Sequence, residues 1–234
     1  LVAVGGLVRA TGSGLGCLTE WPTCHGGWVA PLEYTAVIEY SHRALAGIVV
    51  LLLIAQAVAA RRWASTEPGL RRWSDAAVAV VFLQAALGRV VVTSELHAAY
   101  VTAHLILALT LVGATTRVAA GAFVAGRRGA DGRVGRMTVG ALAGTALVLL
   151  VGAYVRERGA GLAFGDWPLM GGGVLPDGGT LQWVHFLHRV LAALVFGHVI
   201  ALTLRTRRDL RKPVRMWGWT VLGLYSAQIL VGAA

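Results

Sequence analysis

Charge is scarce in this chain. Only 14% of its 234 residues are Asp, Glu, Lys or Arg, while 56% are hydrophobic and mean hydropathy is +0.68. A soluble domain of this size needs more polar surface, so that class is excluded. The apolar segments also lack a period of two, which argues against a β-barrel. What they offer instead is a series of runs of about 20 apolar residues, the length that crosses a hydrocarbon core of about 30 Å. The expected fold is an all-α polytopic membrane protein. Its spans are read at residues 1–9 (incomplete), 36–60, 74–92, 98–120, 137–156, 181–204 and 214–234.

Acidic residues are scarcer than basic ones, 11 against 21, for a net charge of +10. Such an excess can signal nucleic acid, but its distribution points elsewhere. Most of the Lys and Arg residues fall in three alternate loops. The first holds Arg61, Arg62, Arg71 and Arg72. The second holds Arg117, Arg127, Arg128, Arg133 and Arg136, and the third Arg205, Arg207, Arg208, Arg211, Lys212 and Arg215. The opposite ends carry Glu20, Glu33, Glu95, Glu157, Asp166 and Asp177. The positive-inside rule places the basic loops in the cytoplasm, or on the matrix side of an organelle. Nucleic-acid binding is set aside.

Cysteine is nearly absent. Cys17 and Cys24 both fall in the first outer loop. A disulfide there fits an oxidising compartment, and a loop staple and a redox role stand as equal readings. No signal peptide is visible. The chain starts at Leu1 with only half a span before the first loop, so an upstream part of helix 1 is expected to be missing. The glycine-rich "MGGGVLPDGG" is no phosphate loop, since it lacks strand-loop-helix context and a Lys-Ser/Thr ending.

The chain repeats itself. "VRATGSGL" from Val8 matches "VRERGAGL" from Val155 at an offset of 147, and Trp21-Pro22 matches Trp167-Pro168 at 146. "EYSHRALA" from Glu39 matches "HFLHRVLA" from His185, again at 146, and "QAALG" from Gln84 matches "QILVG" from Gln228 at 144. Four ordered matches indicate a duplication of a four-helix unit. An even helix number keeps both copies in one orientation, so the repeat is parallel. The expected architecture is two four-helix bundles, residues 1–125 and 126–234. Eight helices are expected in the intact protein, the eighth absent here.

Ionisable side chains inside spans are costly and point to function. Glu39 and His42 share a helix face at i, i+3, and His185 and His188 repeat that spacing. His42 and His104 lie at matched depth on helices running the same way. Two histidines so placed suit the axial positions of a heme in a bundle core. The competing reading makes each one an interhelical hydrogen-bond partner. Zinc fits less well, because neither Cys reaches helix depth and the histidines lie on separate helices. By the repeat, the partner of His104 is expected about 14 residues beyond Ala234, on the eighth helix. Arg43 and Arg189 follow the candidate ligands; they are expected either to pair with heme propionates or to snorkel to the interface, and Arg9 and Arg156 are similar. His25 and His97 read as solvated loop-edge residues, and His198 as a packing or polar-contact residue. Trp63, Trp73, Trp167, Trp183 and Trp217 fit interfacial belts. The copies differ where Glu39 faces His185 and where the Cys pair has only Ala163 and Met170 nearby. Divergence of this kind suggests one pocket for a held cofactor and one for chemistry.

"GGLVRATGSGLGC…WPTC", "IEYSHRALAG", "VTAHL" and "VHFLHRVLAA" together resemble the heme A synthase family of cytochrome oxidase assembly, over nearly the whole chain. That resemblance implies eight helices in two halves, each with a histidine pair. It implies conversion of heme O to heme A, a ring methyl being oxidised to a formyl group by successive hydroxylations. It makes the first half the substrate-heme pocket, faced by His42 and His104, and the second half the heme b pocket, with His188 as a ligand. Glu39 matches the acid linked to catalysis. Cys17 and Cys24 match an outer-loop pair usually drawn as a disulfide with a redox role. The departures are the absent fourth histidine and "CLTEWPTC", where many members have Pro after the first Cys. Implied partners are heme O, handed over by a heme O synthase, an electron donor of unknown identity, the lipid bilayer of a bacterial plasma membrane, and a second copy of the chain. The rival readings are a diheme membrane cytochrome that only moves electrons, a transporter, and a thiol oxidoreductase built on Cys17 and Cys24.

Overall fold

A computed structural model describes residues 1–63, 68–124, 132–209 and 211–233. The described residues form helices joined by loops, with no strands. The helices are α1 (Val2–Ala10), α2 (Tyr34–Trp63), α3 (Pro68–Thr93), α4 (Ala98–Val124), α5 (Gly132–Glu157), α6 (Thr180–Thr206) and α7 (Lys212–Ala233). Short 3-10 turns at Ser13–Leu15 and Ala160–Leu162 follow α1 and α5. Proline opens α3, where its missing N–H costs nothing and its fixed φ suits a helix start. Gly12 and Gly159 precede the two 3-10 turns at φ 67 each, a left-handed conformation that glycine adopts freely.

α2 to α6 are long and apolar enough to cross a membrane. Their surfaces show what solvent they expect. Leu51, Leu52, Leu142 and Leu194 are 62–70% exposed. Leaving each in water would forgo roughly 1.5–3 kcal/mol of burial, whereas lipid imposes no such penalty. The protein is therefore a multi-pass membrane protein. α7, read from the sequence as a span, falls outside this set of five, because Trp217, Trp219, Tyr225 and Gln228 dilute its apolar run. Trp73, Trp167, Trp183 and Trp217 are exposed, as belt residues should be; the side chain of Trp63 lies outside the described residues.

The chain divides into two compact units, Leu1–Arg127 and Arg128–Ala234. The expected boundary at 125 and 126 lies outside the described residues, as do Arg127 and Arg128 of the second basic loop. In the first unit α2, α3 and α4 pack successively around Leu53, Ala77, Val81, Leu111 and Ala114. The alanines let the backbones approach, the usual device where lipid provides no hydrophobic drive between helices. In the second unit α6 packs on α5 and α7. A Cβ on Gly144 would stand 2.8 Å from Val195 Cγ2, so α5 and α6 are close there. Thr203 Oγ1 donates to the Gly218 carbonyl of α7 at 3.0 Å. The Tyr225 and Thr145 hydroxyls are bonded between α7 and α5.

Candidate functional site

Each predicted ligand sits against a glycine. A Cβ on Gly5 of α1 would stand 3.2 Å from His42 Cε1 on α2. One on Gly88 of α3 would stand 3.2 Å from His104 Cε1 on α4, and one on Gly152 of α5 would stand 2.9 Å from His188 Cε1 on α6. The glycines thus open notches that seat the rings. In all three rings Nδ1 is buried and has no hydrogen-bond partner. His42 lies eight residues past the start of α2, and His188 eight past the start of α6. His104 lies six past the start of α4. At 1.5 Å per residue these depths are about 9–12 Å.

His198 shows the contrast. Its ring also lies against a glycine, Gly140, but its Nε2 donates to the Met137 carbonyl at 2.8 Å. It is a polar contact between α5 and α6, in keeping with its sequence reading. Among the described residues no three His, Cys, Asp or Glu side chains cluster to hold a bare metal ion.

The first unit carries its chemistry in the loop between α1 and α2. Cys17 and Cys24 form a disulfide there. Gly16 rests on the backbone that opens α2, where a Cβ would stand 2.3 Å from the Thr35 carbonyl. Only glycine fits, and this brings Cys17 beside Glu39. The buried Glu39 carboxylate accepts the Cys17 backbone N–H through Oε2 at 2.8 Å and pairs with Arg43 through Oε1. Arg43 Nη1 also donates to the Thr23 carbonyl at 2.9 Å. Glu20 Oε2 accepts the Gly26 N–H at 2.7 Å and the Thr23 hydroxyl at 3.3 Å. His25 is exposed, as expected from the sequence, and it also donates Nε2–H to the Gly16 carbonyl at 2.9 Å, so the loop closes just outside the disulfide. His97 is exposed, with its ring tilted against Tyr100. Arg89 at the loop end of α3 stacks over Trp21, 5.8 Å from the ring centroid.

The second unit builds the same loop from different residues. Arg189 Nη1 donates to the Leu169 carbonyl at 2.8 Å, the counterpart of Arg43 on Thr23 at an offset of 146. Met170 N–H donates to the Gly173 carbonyl at 2.8 Å, as Cys24 does to Gly27 at 2.9 Å. Asp166 accepts from the Gly171 and Gly172 N–H groups, both at 2.8 Å, standing for Glu20. Those two bonds hold its carboxyl below the usual carboxylate range, because they favour the charged form. In place of the disulfide, Met170 Sδ accepts from Arg189 Nη1 at 3.4 Å. In place of Glu39, His185 Nε2 accepts from Arg189 Nε at 3.2 Å, and its ring lies near Phe164. Arg189 Nη2 also reaches the Asp166 carbonyl at 3.0 Å.

The structure therefore gathers Glu39, Arg43, Cys17 and Cys24 into one network beside the turn of α2 that carries His42. His104 belongs to the same unit through its notch on α3, and His188 has its own notch in the second unit. Sequence reasoning missed the seating glycines and the acceptor carbonyls. Gly5 and Gly152 could have been found, since they obey the 147 offset of the flanking repeat.

The whole chain, residues 1–234, matches the model of the family described as cytochrome oxidase assembly protein. It is 32% identical to the heme A synthase of Bacillus licheniformis over 239 residues, covering 94% of this chain and 76% of that one. It is 31% identical to the heme A synthase of Symbiobacterium thermophilum, covering 98% and 78%, and 30% identical to that of Geobacillus thermodenitrificans, covering 99% and 76%. A match over every residue, together with relatives above 30% identity along most of their length, leaves one conclusion: the chain belongs to the cytochrome oxidase assembly protein family.

Proposed function

We propose that this protein is a heme A synthase, a membrane oxidoreductase that oxidises a ring methyl of heme O to a formyl group by successive hydroxylations. The observation that carries the reading beyond family membership is the trio of glycine-seated histidines. Each has a buried, unpartnered Nδ1, and a buried carboxylate stands one turn from one of them. An imidazole seated in a notch with its buried Nδ1 unpartnered fits an axial ligand, so the residues present suit heme.

The first unit is assigned to the substrate. His42 and His104 would hold heme O there, and Glu39 is the acid of the reaction. The second unit is assigned to a resident heme b, with His188 as one ligand. When bound, heme iron supplies the oxidising power that an inert methyl C–H demands and no side chain can provide. The protein orients the substrate and keeps a fixed charge near it. Glu39 is held by Cys17 N–H and Arg43, so it needs no reorganisation to stabilise positive charge developing on the substrate or to pass a proton. The basic loops are assigned to the cytoplasm and the disulfide loop to the opposite face of a bacterial plasma membrane. Heme O would arrive from a heme O synthase through the bilayer, electrons from a separate donor, and a second copy of the chain is a further partner.

A diheme cytochrome is the second reading, because it would use the same histidines. Pigment extraction from the full-length protein, co-expressed with a heme O source, separates the two. Heme A or a hydroxylated intermediate is the expected result. Heme B alone would mean an electron carrier.

A further inference from the structure

Both histidine helices carry an arginine directly after the candidate ligand, and both arginines turn to the adjoining loop. Arg43 binds the Thr23 carbonyl and Glu39. Arg189 binds the Leu169 and Asp166 carbonyls and His185. The donors are 146 residues apart, and so are the acceptors Thr23 and Leu169. Within each loop a backbone closure and a carboxylate on loop N–H groups are shared. One loop is further closed by a disulfide and the other is not. The fastening to the following helix that survives this divergence is the arginine.

We propose that Arg43 and Arg189 are positioning residues, each locking its loop onto the helix turn that carries the histidine of the same unit. The two sequence expectations for them are propionate pairing and snorkelling. The structure gives both a different use, the bond to the loop, and the Arg43 side chain is only 13% exposed. The chemistry explains the choice of residue. A planar guanidinium directs several N–H groups along fixed lines, so it can hold a carbonyl on one element and an acceptor on its own helix at once. The point charge of lysine cannot span both. Removing the fork leaves loop carbonyls without their donor, which costs more than the bond itself contributed. The cheapest response is for the loop to lift away, and the lift is felt first at the histidine one residue before the arginine.

The assignment of hemes to the two units, on which only the spectroscopic arm rests, is that proposed above. The test uses the full-length, heme-loaded protein and follows amide hydrogen exchange in residues 17–28 and 163–174, beside the heme absorption and electron paramagnetic resonance spectra. Arg43→Gln should speed exchange in the first loop about tenfold, the scale of one lost charge-assisted bond, and leave the second loop unchanged. It should disturb the signal of the heme in the first unit alone. Arg189→Gln should do the reverse. Arg43→Lys should restore net charge but not the exchange protection. Unchanged exchange in both Gln variants overturns the proposal. So does weakened heme binding with undisturbed loops, which would return the arginines to propionate binding. A protein that makes no heme A yet shows the crossed exchange pattern would sink the synthase reading and support this one.

Discussion

The loop of the first unit and the loop of the second are the same object fastened differently. Both pass through a Trp-Pro pair, both close an N–H to carbonyl bond three residues apart, and both receive an arginine from the following helix. The first adds a disulfide and a buried acid, the second a thioether and an imidazole. The difference shows which parts of a duplicated pocket are scaffold. Bonds to backbone carbonyls persist because they do not depend on the identity of the acceptor residue. Side chains that would face a reaction are free to diverge.

The strongest way to break the comparison is to remove the histidines separately. His188→Ala should abolish resident heme b, and His42→Ala should spare it. Both should lower heme A formation by more than the 10- to 100-fold that loss of a mere supporting residue gives. Extracted pigments resolved by mass give the answer, and equal loss of heme b in both variants would erase the division of labour. Glu39→Gln comes next. The amide oxygen still accepts the Cys17 N–H, and Arg43 keeps its bond to the Thr23 carbonyl although its pair with residue 39 is lost, so the loop and bound heme should persist while turnover falls about 100-fold. Unchanged heme A in extracts would remove Glu39 from the chemistry. The notches come third. Gly152→Ala puts a methyl carbon 2.9 Å from His188 Cε1 and Gly5→Ala puts one 3.2 Å from His42 Cε1, whereas at Gly6 nothing lies within 4 Å. Overpacking costs about 1–3 kcal/mol, so heme retention should fall most for Gly152→Ala, less for Gly5→Ala and not at all for Gly6→Ala. The same order should appear in the heme absorption band.

Smaller effects lie in the fasteners. Replacing Cys17 and Cys24 by Ala together should destabilise the first loop by about 2.5 kcal/mol, from the entropy of a loop of this length, with no counterpart for Met170→Leu. Thermal unfolding in detergent would show it. Asp166 gives the smallest effect. Its folded pKa lies below the ordinary carboxylate value because Gly171 and Gly172 donate to it. The stabilisation is therefore present above the ordinary carboxylate pKa and fades as pH falls through the depressed one. Amides 163–174 should lose protection there in the parent protein, while Asp166→Asn should show no such acid transition.

Much of the fold was legible in the sequence because lipid makes apolar length an almost sufficient signal. The histidines were legible because the repeat set them in register. Helix α2 nevertheless begins at Tyr34, two residues before the apolar run suggested, since Tyr34 and Thr35 add helix without adding hydropathy. What stayed hidden was the hydrogen bonding of the loops. Arg43 to Thr23 and His25 to Gly16 join side chains to carbonyls, and every residue has a carbonyl. No periodicity or residue type marks which one will be used.

Gly16 has a consequence for the timing of thiol chemistry. With its backbone pressed on Thr35 and Ala36, the adjacent Cys17 is 0% exposed and Cys24 only 1%. Thiol–disulfide exchange needs in-line approach of an attacking thiolate to a sulfur, and no such path exists while α2 and the loop are docked. The bond is thus shielded from exchange by the fold that surrounds it. Reduction of these sulfurs by a thiol must wait for the loop to open, so the rate of opening, and not the strength of the thiol reductant, would limit that exchange.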